Sequence, residues 1–409
     1  SAASDVYKRQ GLAALNLALP VYSFVHGSGL MLGVGGAAKY SVLVSRGRKD
    51  DGDAVFSNTL MAAAGLAAIY VALGLMLSEE IASLLGAGGE VFQMTETYLK
   101  TILVFAPLFM AGDVLTCFVR NDGSPGLSMA AMIGASLSNI LLDYLFIFPL
   151  GMGIFGAALA TGMAPAISMA ILSLHMRKGE RVRAVRTPFD ARLVGRLAGM
   201  GVPSLITEVA SGIVLIVFNG LILSLEGNTG VAAYGVVANI SLVAVAVCTG
   251  IAQGMQPLAS RACGMGDEKA AAGVFKRTAA ICAAVTLVIY AAAVALAQPA
   301  VSVFNSEGNG LMAAVAEEGM RIYFIMLPFA GFNIVTAMFF SAIEKPLPAQ
   351  LISLARGFII VIPAALLMTK AAGLLGLWLA LPVTEGVTSL MCLWLCLRCR
   401  SAGPEPEAG

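Results

Sequence analysis

The sequence predicts an all-α polytopic membrane protein: two parallel-repeat helix bundles around a central cavity. Three observations predict it. The 409-residue chain is 58% hydrophobic and only 12% charged, with mean hydropathy +0.87, whereas soluble domains average about 25% charged. Its apolar runs are long enough to cross a bilayer as helices and lack the period-two alternation of barrel strands. Its two halves also echo each other. The 45 glycines suit close helix packing and broken helices.

Apolar runs occur at about 14–39, 54–79, 95–119, 126–149, 153–175, 199–224, 231–257, 274–299, 320–342, 350–369 and 373–397, eleven in all. Lys and Arg gather in alternate loops: Arg46, Arg48 and Lys49; Arg120; the stretch from Arg177, Lys178 and Arg181 to Arg196; Arg261, Lys269, Lys276 and Arg277; Lys345; then Arg398 and Arg400. The other loops hold Glu79, Glu80, Glu90, Glu226 and Glu307, with Lys100, Arg321 and Lys370 only at their edges. The positive-inside rule makes the basic loops and the C-terminus cytoplasmic. Eleven spans then start the chain outside, which places Lys8 and Arg9 on the wrong side. An even number of spans is the simpler topology. The expectation is that one N-terminal span is missing and that residues 1–11 are a scar-like edge. The remaining divisions are an N-lobe over 12–176, a basic linker over 177–198, a C-lobe over 199–399 and a tail over 400–409. Within the linker, Arg181–Arg196 reads as a helix lying on the cytoplasmic surface.

The repeat has a register. Gly33, Gly47 and Asp50 meet Gly250, Gly264 and Asp267 at a shift of 217. Pro107 and Pro125 meet Pro328 and Pro346 at 221, and Gly153 and Gly156 meet Gly373 and Gly376 at 220. Several Gly and Pro matches in one register signal an internal repeat. The offset covers six spans, an even number, so the halves are parallel repeats related by an axis along the membrane normal.

The fourth and fifth runs form the hairpin of greatest chemical interest. Asn139 and Asp143 are four apart and share a helix face. With a turn centred near residue 152, Asp143 and Thr161 are each nine residues from it. That is roughly 13–14 Å along each helix, close to the midplane of a ~30 Å core. A carboxylate there costs about 2.5–3.5 kcal/mol unless it faces a cavity or a partner. One alternative is a protonated Asp143 hydrogen-bonded to Asn139 for packing. The repeat argues against it: the counterparts Ile360, Ala364 and Leu381 are all apolar. A polar trio needed only for packing would be kept in part by its twin.

Glu208 follows Pro203 in the sixth run and reads as a cavity-facing ligand for a substrate or cation. Arg356 and Glu385, on the last two runs, lie 16 and 13 residues from a turn near 372. Their depths differ by roughly 4–5 Å, so they are expected to form a structural ion pair, with a gate as the alternative. Asn219, Asn239, Gln253, Gln256 and Asn333 either line the cavity or join helices by hydrogen bonds. His26 reads as a titrating group or a packing histidine, and Lys39 as a residue snorkelling to the interface.

Some classes are excluded. No Gly-Lys-Ser/Thr phosphate loop and no HExxH occurs, so neither ATP drive nor an enzyme activity is expected. The basic stretch 177–196 lies between spans, which makes it a topology signal and not a nucleic-acid site. The seven cysteines lie in or beside spans; the lone Cys396-Leu-Arg-Cys399 reads as packing thiols ahead of palmitoylation or zinc binding.

The chain also resembles the multidrug and toxic compound extrusion (MATE) transporters. The resemblance is carried by Gly47–Asp53 and its echo Gly264-Met-Gly266-Asp267, by Phe118-Val-Arg-Asn-Asp-Gly-Ser-Pro125, by Asn139 with Asp143, by Gly156-Ala-Ala-Leu-Ala-Thr161, by Gly201-Val-Pro203 and by Gln253-Gly-Met-Gln-Pro257. It covers nearly everything from 12 to 399. It implies two six-helix bundles and export of drugs or metabolites, cationic by the acids in the spans, in exchange for H⁺ or Na⁺. It implies an N-lobe polar network that maps to Asn139, Asp143 and Thr161, together with an Asp on a first span absent here. It also maps a cation ligand to Glu208; the Asp that accompanies it on the tenth span has no match, and Asn333 is the polar residue in that run. No cofactor is expected beyond H⁺ or Na⁺, with Na⁺ at Asp143 or Glu208. The expected partners are the bilayer and a small organic substrate, with no nucleic acid and a monomeric chain. The rival readings are a lipid-linked oligosaccharide or lipid flippase of the same superfamily, whose anionic cargo calls for a basic cavity, and a channel.

Overall fold

A computed structural model describes residues 2–177, 181–305 and 308–401. Lys178, Glu307 and the tail from 402 lie outside the described residues, as do the side chains of Lys8, Arg9, Glu90 and Arg400. The described residues contain helices and no strand. In order they are α1 (Ala2–Ser45), α2 (Lys49–Met76), α3 (Ser78–Leu84), α4 (Glu90–Val104), α5 (Ala106–Asn121), α6 (Pro125–Ile147), α7 (Gly153–Met176), α8 (Ala191–Gly264), α9 (Glu268–Ala295), α10 (Ala297–Phe304), α11 (Gly310–Tyr323), α12 (Met326–Ala342), α13 (Pro346–Leu354), a π-helical turn (Ala355–Ile359) and α14 (Val361–Ser401).

Two of these are hairpins. The 74 residues of α8 would be far too long for one bilayer crossing at ~1.5 Å per residue. The helix breaks at Gly227, with φ 61° and ψ −154°. Phe218 and Tyr234 stack 5.7 Å apart, which only a reversal between them allows. Helix α14 breaks likewise at Ala372–Gly373. Two other spans are bent pairs, α4–α5 by 49° and α11–α12 by 48°. With each bent pair as one span and each hairpin as two, the described residues supply the eleven spans read from the sequence.

The repeat is visible in the backbone. Pro107 and Pro328 each open the second half of a bent pair, because proline cannot supply the N–H that would continue the preceding helix. Their bends are nearly equal. Gly153 and Gly373 both adopt φ 56°. Gly123, at φ 83°, has as its counterpart Glu344, a non-glycine residue that also takes positive φ (61°).

The chain divides into two compact bundles. The first runs to Gly212 and includes Gly264–Gly266; the second comprises Ile213–Cys263 and the chain from Asp267 on. The division thus falls inside α8 and not in the basic segment before it. The cause is close packing of α1 on the start of α8: a Cβ on Gly35 would stand 1.9 Å from the Leu197 carbonyl oxygen, and one on Gly201 1.7 Å from that of Met31. Tyr40, Phe56 and Phe118 fill the first core. Tyr234, Tyr323 and Trp378 pack together in the second.

The surface helix expected over Arg181–Arg196 does not form. Residues 182–190 adopt no regular secondary structure, and helix begins only at Ala191. The basic segment between spans reads as an interfacial helix, but the first bundle offers acceptors that take the backbone instead. Val182 N donates to Asp122 (2.8 Å), Arg183 N to Asp53 (3.1 Å), Val185 N to Ser57 (2.8 Å) and Asp190 N to Asn58 (2.8 Å). Lys49 donates to the Arg181 carbonyl, and Arg181 to that of Asp122. Asp190 then caps the new helix by accepting from Arg192 N and Leu193 N. The basic loop at 46–48 joins the same end of this bundle, where Arg46 reaches the Gly264 carbonyl.

Candidate functional site

The first bundle contains two polar groups set among apolar helices. The first lies on the α6–α7 hairpin. Helix α6 turns Leu137, Ile140 and Leu141 outward, whereas Asn139 and Asp143 are only partly exposed. Asn139 Nδ2 and Asp143 Oδ1 are enclosed without a hydrogen-bond partner. Enclosed polar atoms are nearly always paired, so the lack of a bond between these two weighs against the packing alternative, in which Asp143 bonds to Asn139. Thr161, on α7, donates back to the Ala157 carbonyl at 3.0 Å. The Tyr98 hydroxyl of α4 lies against Thr161 and within electrostatic reach of Asp143. The structure therefore brings Asp143 and Thr161 to one tyrosine, from helices on either side of the turn.

The second group joins α1, α5 and the start of α8. His26 Nδ1 and Asp113 Oδ2 are 3.0 Å apart. Tyr22, one turn earlier on α1, stacks on the His26 ring with centroids 5.9 Å apart. Glu208 interacts electrostatically with both His26 and Asp113. The helices come this close because α1 is glycine-rich around His26. A Cβ on Gly29 would stand 2.5 Å from Asp113 Oδ2, and one on Gly27 3.2 Å from Glu208 Cβ. The side chains of the His26–Asp113 pair are 31% and 16% exposed. Tyr22 also senses Tyr98, so the two groups adjoin.

Sequence reasoning does not single out Asp113, whose partner is 87 residues away. Two signals were available: a carboxylate inside an apolar run, and glycines close to the histidine of α1.

In the second bundle Arg356 and Glu385 do pair. Nη2 lies 2.7 Å from Oε1, with Nε at 3.2 and 3.3 Å from the two carboxylate oxygens. Asn333, fully buried, donates to Glu385 Oε2 (2.7 Å) and to its carbonyl (2.9 Å), and accepts from Ser389 (2.9 Å). The π-helical turn carries Arg356, and such turns re-aim side chains within a helix. Asn333 is thus part of an ion-pair network and is not an open ligand. Asn239 bonds to the Gly235 carbonyl of its own helix at 2.8 Å. Asn219 is half-buried on α8, as is Gln253, and Gln256 is fully buried. Neither Asn219 nor these glutamines joins the two polar groups through a described contact. Among the described residues no three His, Cys, Asp or Glu side chains are placed to hold a metal ion.

The MatE family model matches residues 3–145 and 203–367. The chain belongs to the MATE family of transporters. Similar proteins include the multidrug export protein MepA of Staphylococcus aureus strain MRSA252, 24% identical over 384 residues, or 93% of this chain and 84% of that protein. MepA of Staphylococcus saprophyticus is 24% identical over 387 residues, with the same two shares. Among solved structures, an outward-facing multidrug resistance MATE transporter of the MOP superfamily superimposes with a TM-score of 0.87 at 21% identity, covering 97% of this chain and 92% of that one. The MATE multidrug transporter DinF-BH gives 0.85 at 24% identity, covering 96% and 88%. At these identities the structures establish the fold. This MATE chain is a multi-pass membrane protein, and its family are transporters.

Proposed function

We propose that the chain is a secondary antiporter that exports organic cations, drugs or metabolites, in exchange for H⁺ or Na⁺. Multidrug export by the similar MepA proteins supports the substrate class. One observation carries the coupling role: Asp143 and Asn139 present enclosed polar atoms with no partner beside Tyr98 and Thr161, while the equivalent Ile360, Ala364 and Leu381 of the second half are apolar. The unpaired Oδ1 of Asp143 is an acceptor that a proton or Na⁺ would complete, whereas the Asn139 Nδ2 is a donor and only the amide oxygen of that residue could serve as a ligand. Asp143, Asn139 and Thr161 bind the coupling ion, and Glu208 binds a cation nearby. Occupancy of these groups must differ in free energy between the two facing states for exchange to be driven. The bundles are the natural rocking units of a parallel-repeat transporter, with the C-terminus and basic loops in the cytoplasm. Arg356, deep in the second bundle, is committed to Glu385, so it is not free to receive an anionic lipid head group.

Efflux of a fluorescent organic cation from proteoliposomes, driven by an imposed H⁺ or Na⁺ gradient, tests this. Asp143→Asn is expected to abolish gradient-driven efflux with reconstitution unchanged. Unchanged efflux would remove Asp143 from the mechanism, and the gradient that drives the wild type identifies the ion.

A further inference from the structure

The irregular segment ahead of α8 lies along the first turns of α2 and leaves an open groove against it. The groove measures about 550 Å³ and is lined by Ser57, Leu60 and Met61 of α2 and by residues 184–188 of the segment. Ligand clefts commonly measure ~300–1,000 Å³. Its two sides differ in chemistry. On the α2 side Leu60 and Met61 are apolar, and the helix continues beyond them with Gly65 and Ala68 exposed. A Cβ on Gly65 would meet nothing within 4 Å, so this surface is smooth and open. The segment side brings Arg186 and Thr187. Among the described residues neither has a hydrogen-bond or ion-pair partner, so a guanidinium, a hydroxyl and two consecutive main-chain N–H groups remain as donors. No Asp or Glu lines the groove. The acids nearby are committed: Asp190 caps α8, and Asp53 accepts from Lys49 and from Arg183 N. Depth matters too. The apolar run of α2 begins near residue 54, so Ser57 and Met61 lie three and seven residues inside it. At ~1.5 Å per residue that is roughly 4–11 Å below its edge, the level of the upper acyl carbons. An arginine side chain is long enough to carry its charge back to the head-group layer. Val185 and Phe189, 39% and 55% exposed, add apolar surface beside that charge.

We propose that this groove binds an anionic phospholipid, with the phosphate held by Arg186 and Thr187 and an acyl chain laid on Leu60, Met61 and the exposed surface of α2 beyond them. Charge complementarity selects the head group. The groove offers a cation and no carboxylate, and the exposed Arg183 and Arg192 flank it in the chain. The planar guanidinium fork matches phosphate oxygens, and basic pockets at a bilayer surface suit anionic head groups. A free phosphate would use only the polar side; the apolar floor calls for a lipid. The site goes beyond the antiport reading. It requires only that the segment stand at a bilayer surface, as a connection between spans of a multi-pass protein does. A bound lipid would bridge α2 and the connection into α8, adding a tie to the bilayer beside the amide bonds to Asp53 and Ser57.

Native mass spectrometry of the purified full chain, titrated with phosphatidylglycerol, phosphatidylcholine or glycerol 3-phosphate, tests the site. Wild type is expected to bind phosphatidylglycerol about tenfold more tightly than phosphatidylcholine, as an anionic head group beside a juxtamembrane arginine should. Arg186→Gln removes the charge-assisted contact to phosphate and should weaken phosphatidylglycerol binding about tenfold. Met61→Glu, which sets a carboxylate in the groove, should do the same. Arg192→Gln removes the same charge outside the groove and should change the affinity by less than about twofold. A phosphatidylglycerol with a photoactivatable acyl chain should label wild type within 57–68 or 184–188, which keeps the proposal testable if a variant fails to fold. Wild-type affinity in Arg186→Gln overturns the proposal. So do equal losses in Arg186→Gln and Arg192→Gln, which indicate diffuse attraction, and equal binding of the two lipids. Glycerol 3-phosphate binding as tightly as the lipid, or labelling confined to other segments, also overturns it. A chain that passes these tests but shows no gradient-driven efflux would refute the antiport reading and leave the lipid site standing.

Discussion

Replacing Glu385 by Met isolates what the buried Arg356–Glu385 pair does. Their side chains are only 12% and 4% exposed, and three nitrogen–oxygen distances of 2.7, 3.2 and 3.3 Å make the pair bidentate. Methionine keeps the bulk and removes the charge. Arg356 is then a buried cation without a counter-ion, a state that costs about 3–5 kcal/mol. Asn333 loses its bond to Oε2 but keeps the one to the Glu385 carbonyl at 2.9 Å. Replacing both residues by Met removes both desolvated charges, and such swaps are often neutral or stabilising by about 1–4 kcal/mol. The expected order of stability is therefore wild type near the double variant, and both well above Glu385→Met. Unfolding in detergent micelles followed by tryptophan fluorescence gives these values. Both tryptophans, Trp378 and Trp394, lie on α14, and Trp378 is fully buried, so the signal reports the second bundle. A loss below about 1 kcal/mol in Glu385→Met, or a double variant no more stable than the single one, would refute a desolvated pair. Efflux by the double variant decides the role: if it folds stably yet transports nothing, the pair acts as a gate and not as a structural tie.

Two further perturbations follow from the backbone. Glu344 sits at φ 61° where its repeat counterpart is glycine, and the left-handed region costs a residue with a Cβ about 1–2 kcal/mol. Glu344→Gly is expected to raise stability by up to about 1 kcal/mol in the same unfolding assay. Gly201→Ala places a methyl 1.7 Å from the Met31 carbonyl oxygen; backbone cannot swing aside, so a loss of about 1–3 kcal/mol or more is expected. Gly65→Ala, with nothing within 4 Å, serves as the control and should be neutral or gain up to about 1 kcal/mol.

The spans and their repeat were legible because hydropathy and proline act locally. Pro107 and Pro328 occupy equivalent places and produce nearly equal bends, so a match of letters became a match of geometry. The hairpin depth argument also rested on local rise per residue, and Tyr98 now stands beside both Asp143 and Thr161. The His26–Asp113 pair was not legible, because its two members lie in different apolar runs 87 residues apart and meet only through tertiary packing across Gly29. The helix expected over Arg181–Arg196 failed for a related reason. Its own residues permit helix, but Asp53, Ser57, Asn58 and Asp122 lie more than 50 residues away and override local propensity. Pair formation by Arg356 and Glu385 was readable from depth alone; the capture of Asn333 and Ser389 was not.

That irregular segment has a consequence for how the protein tolerates change. Its path is held largely by amides and carbonyls bonding to side chains of α2 and of the α5–α6 turn; Arg181, Arg183 and Asp190 add their own side chains. Arg183 adds an exposed ion pair to Asp53, worth little beside its amide bond to the same carboxylate. Shape and charge are therefore written in different places: the first in Asp53, Ser57, Asn58 and Asp122, the second in the segment itself. Exposed arginines there can be exchanged to retune membrane orientation or surface potential with little effect on the path, whereas a substitution among the four distant acceptors would free the part of the connection that it anchors.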